Sequence, residues 1–470
     1  MLVISSLITL RAGNVIAQSH AGAANVIESP NAVGISRTIT THATFDTSNA
    51  FFKPLGTNGR TCATCHALTE GMNMGPDFAQ SLFDLTEGLD PLFATIDGTN
   101  SPRADMSTLE ARRASTSMIR TKGLIRVALP VPSAAEFTIE KVEDPYSYAT
   151  TREISAFRRP LPATNIRFLS TVMWDGRELL NSTTVLSALR SQVRDAVLGH
   201  MQAATPPSEQ TIGEIVEFET SLYTTQVYDN AAGSLDTAQI RGAPEELRFA
   251  PFFPGINSFF SARGKNPRFT TNVFKIFRAW SERSSRRRGA PSLSQLAIAR
   301  GERIFNNRPF LIRGVAGFND LVQDRRASAR ERFMPGPRTS VLAARGVKGT
   351  CSSCHSTPRV GSTSLPLLMN TGVADAALRT PDLPQYTLRH NITGERIVTT
   401  DPGAAMTTGR WSDVGKFKVP SLRALETHSP YMHNGFTEDL GEVVNFYDRR
   451  FSIGLTAQEK SDLAVFLAAL

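Results

Sequence analysis

The chain has 470 residues, 51 of them Lys or Arg and 43 Asp or Glu, for a net charge of +8, with 41% hydrophobic and 20% charged residues. That length exceeds one ordinary core and suggests two or three domains, while the composition excludes a disordered or fibrous chain. No apolar run reaches the roughly 18 residues of a spanning helix. The clumped positives in RSSRRR (283–288) and DRRASARERF (324–333) lack the interleaved aromatics of a nucleic-acid platform, so they read as solvated loops or as a face that steers an acidic protein partner.

In chain order, residues 1–40 read as a signal or leader segment. Residues 1–10 are an apolar run followed by small residues, without the positive n-region of a standard signal, so a buried strand is the other reading. Residues 84–160 mix short helices with turn-rich stretches such as DGTNSPRAD. TTVLSALRSQVRDAVLGHMQ (183–202) reads as a helix, and so does 208–228, where Ile212, Ile215, Val216, Leu222 and Tyr223 recur at helical spacing. An irregular Gly-, Pro- and Phe-rich stretch follows (248–269), and PSLSQLAIARGERIFNN (291–307) is helical again. Near the end Thr437 is placed to cap a helix with Glu438 and Asp439 in its first turn and Leu440, Val443, Val444 and Tyr447 on one face. TAQE (456–459) has capping-box form, and Leu463, Phe466, Leu467 and Leu470 follow it at i, i+3, i+4, i+7.

All four cysteines lie in two identical patterns: Cys62, Cys65 and His66 in TCATCH, and Cys351, Cys354 and His355 in TCSSCH. A thioredoxin-type redox pair needs a neighbouring βαβ pattern, and none is visible. A four-thiolate zinc site would leave the trailing histidine incidental twice. Cys-x-x-Cys-His is the attachment site of c-type haem, in which both sulfurs bond the porphyrin and the next histidine reaches iron from the same side. Two covalently bound haems are therefore the favoured reading, with His66 and His355 as proximal ligands, each held through its other ring nitrogen. Covalent haem is normally attached outside the cytoplasm, which together with the leader points to the periplasm. The fold class expected is mainly α. Two cytochrome c-like haem domains, 41–240 and 291–470, would pack against each other, joined by an irregular segment, 241–290.

The stretches MWDGRE (173–178) and GKFKVPSLRALETHSPYMHNGFTEDLGEVVNFYDRRF (415–451) carry a resemblance. The chain resembles the bacterial di-haem cytochrome c peroxidase and MauG family, patchily over 40–230 and more closely over 290–470. The resemblance implies a peroxide-reactive N-terminal haem and an electron-transferring C-terminal haem. It implies that Trp174 lies between the haems as a relay, the alternative being a core aromatic. It sets Arg423 beside a haem propionate and makes His433 a supporting imidazole rather than a catalytic one. Peroxidases of the family place a methionine ligand where Tyr447 stands here, and MauG has a tyrosine there. Tyr447 is thus the implied sixth ligand of the second haem, with a core tyrosine as the alternative and Met406 and Met432 as fallback ligands. A phenolate, being hard and anionic, favours ferric iron.

Three family positions differ. Leu82 stands where a removable distal histidine is usual, so the first haem is either open or ligated by Met72, Met74 or His200. Gln192 matches a family glutamine, but Gln202 stands where the family has its catalytic glutamate. His200, two residues earlier, is the acid–base candidate. Arg159 stands where the family has a calcium-binding asparagine, so calcium, though a family property, is disfavoured. The function expected is a periplasmic di-haem oxidoreductase that reacts with peroxide or dioxygen and exchanges electrons with a donor or substrate protein. The rivals are a non-catalytic di-haem electron carrier and a haem-based sensor.

Overall fold

The structure is a computed structural model that describes residues 25–180, 182–260, 269–281, 290–321 and 346–470. The two basic runs and the first 24 residues of the leader lie outside these. The longer helices are α1 (Pro76–Thr86), α2 (Val185–Gly199), α3 (Glu209–Thr220), α4 (Leu293–Asn307), α5 (Leu440–Phe451) and α6 (Ala457–Ala468). Helix accounts for only 33% of the structure and strand for 18%, in five small sheets. The fold is therefore mixed α and β, and the mainly-α expectation is wrong. The strands are short, and several pair with partners far away in sequence, so local periodicity carries little trace of them.

The first sheet shows this. Strands β1 (Val26–Asn31) and β2 (Gly34–Thr40) form a hairpin, which pairs with β6 (Leu222–Asp229) and then β7 (Gly233–Ser234). Residues 26–40, read from sequence as leader, are thus part of the folded body. The helix read over 208–228 stops at Thr220, and Leu222 and Tyr223 belong to β6. Thr38 and Thr224 are register partners whose hydroxyls bond at 2.9 Å. The β-branched run in YTTQVY fits this pleated surface better than a helix.

Two further sheets lie near the molecular middle. Strand β3 (Ile125–Pro130) pairs with β5 (Glu153–Arg158). Strand β4 (Phe137–Glu143) pairs with β11 (Gln385–His390), which pairs with β12 (Arg396–Thr399), so one sheet draws strands from both halves of the chain. Phe137, Ile139, Ile154, Tyr386, Leu388 and Met406 fill the core there. Two short pairs complete the set: β8 (Phe310–Ile312) with β9 (Val347–Gly349), and β10 (Leu368–Met369) with β13 (Phe417–Lys418).

The C-terminal helices follow the sequence more closely. Ser292 and Gln295 close a capping box on α4, and Thr456 and Glu459 close one on α6. On α5 the cap is Asp439 rather than Thr437: its carboxylate accepts the Gly441 N–H at 2.7 Å. Helices α4 and α6 cross at Gly301, where a Cβ would lie 2.0 Å from the Asp462 carbonyl oxygen. Arg300 reinforces the crossing with two 2.7 Å bonds to the Asp462 carboxylate. Alanine is the better helix former by about 1 kcal/mol, but the backbone clash outweighs that gain. Gly301→Ala should therefore destabilise the protein by about 1–3 kcal/mol, read as a lower guanidinium unfolding midpoint. An unchanged or higher midpoint would show that the crossing is loose.

Candidate haem sites

The two Cys-x-x-Cys-His units fold alike. Thr61 with Thr64, and Thr350 with Ser353, close capping boxes around single 3₁₀ turns that start at Cys62 and Cys351. Each turn aims its cysteines and its histidine at one cavity. His66 Nδ1 lies 3.3 Å from the Met72 carbonyl oxygen, and His355 Nδ1 lies 2.5 Å from that of Gly361. In both cases this fixes the proton on Nδ1 and leaves Nε2 as the donor toward the cavity. Phe51 and Phe305 back the two imidazoles at ring-centroid distances of 6.4 and 6.2 Å. Burial lowers the pKa of each imidazole to about 4, so both are neutral near pH 7. The thiols form no disulfide, and burial pushes them up, Cys65 to about 11 and Cys351 and Cys354 to about 12. A catalytic redox pair needs the opposite shift. The two cysteine pairs open into different cavities, and no metal-binding cluster of three or more His, Cys, Asp or Glu occurs among the described residues. The four-thiolate zinc reading therefore fails.

Each unit faces its own cavity. His66, Cys62, Cys65 and the α2 face of Leu189, Gln192, Val193, Ala196 and His200 line the first. His355, Cys351, Cys354, Val443, Val444 and Tyr447 line the second. Trp174, Lys418, Tyr431 and Met432 line both. Buried polar atoms without a hydrogen-bond partner gather at these walls: Asn73 Oδ1, Arg159 Nε and His428 Nε2 in the first, and both His433 ring nitrogens in the second. Burying unpaired polar atoms is costly, and a macrocycle bearing carboxylates answers that cost. Apolar walls, paired thiols and, beside each pair, a histidine whose Nε2 is free thus fit a covalently bound haem at each site.

Between the cavities, Trp174 donates its indole N–H to the Arg159 carbonyl at 2.8 Å, and its own carbonyl accepts the Lys418 N–H at 2.8 Å. Its ring stands edge-on to His433 at 6.2 Å, and His433 stacks on Phe417 at 3.9 Å. The next residue, Asp175, accepts from Arg158 at 2.6 Å, and Arg158 also engages Asp401 at 2.7 and 3.0 Å, all three side chains being buried. On the α2 wall, His200 directs Nδ1 at the Asp97 carboxylate, whose other oxygen takes the Arg60 guanidinium. Burial raises the Asp97 carboxyl, but His200 and Arg60 outweigh it and hold the group below its ordinary value.

No family model matches the chain. Over 167 residues it is 32% identical to the cytochrome-c peroxidase IdrP1 of Pseudomonas sp. (strain SCT), covering 31% of this chain and 43% of that protein. Over 136 residues it is 36% identical to the cytochrome-c peroxidase IdrP2 of Denitromonas iodatirespirans, covering 26% and 36%. The chain is thus similar, over part of its length, to proteins named cytochrome-c peroxidases. It spans less than half the length of these curated relatives. A MauG-like protein associated with microbial copper homeostasis is a structural neighbour at 14% identity and a TM-score of 0.37, covering 91% of this chain and 88% of that one.

The family-derived positions fall unevenly. Gln192 and His200 share the first cavity, whereas Gln202 lies outside its wall and accepts from Asn58 Nδ2 at 3.3 Å. Met74 and Leu82 pack with Phe83 and Phe93, and Met72 offers only its carbonyl, to His66. Of the proposed distal groups, only His200 lines the cavity. Tyr447 lines the second cavity, with its hydroxyl bonded to Thr371, and burial pushes its phenol up to about 12. Met406 sits in the β4–β11 core and not in that cavity, so it is no fallback ligand, whereas Met432 does line it. Arg423 is fully buried and donates to the Gly242 carbonyl, but it lines neither cavity. Arg159 is a fixed buried cation whose guanidinium donates to the carbonyls of Gly123 at 2.8 Å and Ser429 at 3.0 Å. A guanidinium offers only N–H donors and cannot replace an oxygen ligand of calcium.

Sequence reasoning missed Asp97, Lys418, Tyr431 and Glu219. Asp97 lies in TIDGTN, which reads only as a turn. Glu219 was legible, because the stripe of Ile212, Ile215 and Val216 continues onto it, and a carboxylate on a buried stripe is a site signal. Glu219 lines the first cavity, and burial alone raises its pKa to about 8. An unfolded glutamate releases its proton near about 4.3, so between those values the folded chain holds an extra proton and stability falls as pH rises. In the haem-loaded protein, Glu219→Gln should narrow the difference in Tm between about pH 5 and about pH 8. An unchanged difference would mean that the carboxyl is ionised in the fold.

Proposed function

We propose that this chain is a periplasmic di-haem c-type oxidoreductase of the peroxidase and MauG kind. Cys62, Cys65 and His66 hold one haem, and Cys351, Cys354 and His355 hold the other. The observation that carries this reading is the asymmetry of the two cavities about Trp174: an imidazole–carboxylate pair faces one, a phenol the other. A haem at His66 supplies the redox-active iron at which hydrogen peroxide or dioxygen is reduced.

The chain's own groups provide the proton handling. Asp97 holds the His200 proton on Nδ1, so Nε2 is the free base. It takes the first proton of peroxide and returns it to the departing oxygen. Asp97 stabilises the imidazolium formed in between, and Arg60 keeps that carboxylate ionised. Gln192, on the same helix face, supplies a neutral donor and acceptor but no proton exchange. Trp174 passes electrons between the cavities, with Lys418 and Arg159 fixing its backbone and its indole N–H. Tyr447 would offer its phenolic oxygen to a haem held by Cys351, Cys354 and His355, and a hard oxygen donor there would favour ferric iron. Electrons come from a donor or substrate protein. The relatives' name, cytochrome-c peroxidase, supports peroxide as the oxidant.

Pyridine haemochrome analysis should give two covalent haems per chain, and the Cys62→Ala/Cys65→Ala and Cys351→Ala/Cys354→Ala variants one each. Stopped-flow mixing with hydrogen peroxide should change the haem absorption, and His200→Gln should slow that change by roughly 10²–10⁴-fold. Tyr447→Phe should alter the ferric spectrum of one haem only. A protein whose two haems are both low-spin and indifferent to peroxide is an electron carrier, and the enzyme reading would be abandoned.

A further inference from the structure

Among the described residues, two oxidisable aromatic side chains line both cavities: Trp174 and Tyr431. Their polar atoms meet different partners. The Trp174 N–H faces a peptide carbonyl, which is too weak a base to keep a proton. The Tyr431 hydroxyl faces Glu426 Oε1 at 3.5 Å. Tyr431 is buried, and its backbone is pinned by Tyr431 N–H to the Thr437 carbonyl at 2.7 Å and Phe436 N–H to its own carbonyl at 2.9 Å. Glu426 sits on the one-turn helix Leu425–Thr427, whose Leu425 also lines both cavities. A phenol that loses an electron becomes strongly acidic, so it conducts only where a base stands ready. The carboxylate is at the outer reach of a hydrogen bond, a separation that such pairs commonly tighten when the reacting complex forms.

We propose that Tyr431, with Glu426 as its proton acceptor, is a second relay between the two haem sites, working beside Trp174. The proposal rests on the peroxide-reducing reading above. Hydrogen peroxide, reduced at the His66 site, is the oxidant. Tyr431 gives one electron toward that site, its O–H bond breaks, and the proton passes to Glu426, leaving a neutral phenoxyl radical. An electron from the His355 side then reduces the radical, and the proton returns from Glu426 to the phenolate oxygen. One electron has crossed, and the relay has consumed no proton.

The test uses the haem-loaded Trp174→Phe protein, grown with ring-deuterated tyrosine, mixed with hydrogen peroxide, freeze-quenched and read by EPR. The expected result is an organic radical whose signal narrows on deuteration. It should disappear in Trp174→Phe/Tyr431→Phe and fall several-fold in Trp174→Phe/Glu426→Gln, which leaves the Tyr431 ring in place. Two results would overturn the relay while the peroxide reading stands: a haem absorption change with no deuterium-sensitive radical, or a radical that survives Tyr431→Phe. If peroxide leaves the wild-type haem absorption unchanged, both proposals fall together.

Discussion

The ion triad of Arg158, Asp175 and Asp401 is the interaction on which the rest of the site depends. Arg158 ends β5, Asp175 follows Trp174, and Asp401 comes from the C-terminal half, next to His433. Burial raises both carboxyls, but the guanidinium between them outweighs it and keeps them ionised. Two carboxylates on one buried guanidinium are a poor source of net stability and a strong source of specificity: removing one partner strands the others at a cost of about 3–5 kcal/mol. The triad fixes Trp174 by its neighbour. Arg159, the residue after Arg158, then receives the indole N–H on its carbonyl and gives its own N–H to the His433 carbonyl at 2.7 Å. The wall between the cavities is thus one hydrogen-bonded unit drawn from three distant segments.

Within that frame the two cavities share an attachment device and differ in everything else. The matching Thr caps, carbonyl partners six residues on and flanking phenylalanines make the two proximal sides nearly interchangeable. The far sides diverge in charge. The first holds His200 against Asp97, together with Glu219. The second is walled by Val443, Val444 and Leu463, with Tyr447 among them. The first thus carries titratable groups on its far side, and the second a phenol among apolar walls.

What the sequence revealed follows from the range of each interaction. The Cys-x-x-Cys-His units, the Thr456 capping box and the α5 and α6 stripes are local, and all were legible. Asp97 and His200 are 103 residues apart, and Arg158 and Asp401 are 243 apart, so no spacing rule joins them. The sheets failed for the same reason. β4 and β11 alternate too briefly to announce strands, and Leu222 and Tyr223 continue a helical stripe until pairing with β2 overrides it. Arg159 was legible as a departure, but its role as a tether became visible only once Gly123 and Ser429 stood around it.

The same long-range contacts constrain how the sites communicate. β4 of the N-terminal half pairs along its whole length with β11, and Lys122 bonds Asp382 across the same seam. Sliding one half past the other would break a strand ladder, the buried triad and the Trp174–Lys418 bond together. Each loss leaves buried polar groups unpaired, so their costs compound rather than average out. Rigid-body motion is therefore a poor way to gate electron flow in this fold. Communication has to use the side chains already standing in the shared wall. If electrons cross this wall as proposed, a tryptophan facing a carbonyl and a tyrosine facing a carboxylate would conduct under different conditions: the first whenever its oxidised cation is tolerated, the second only when its base is free.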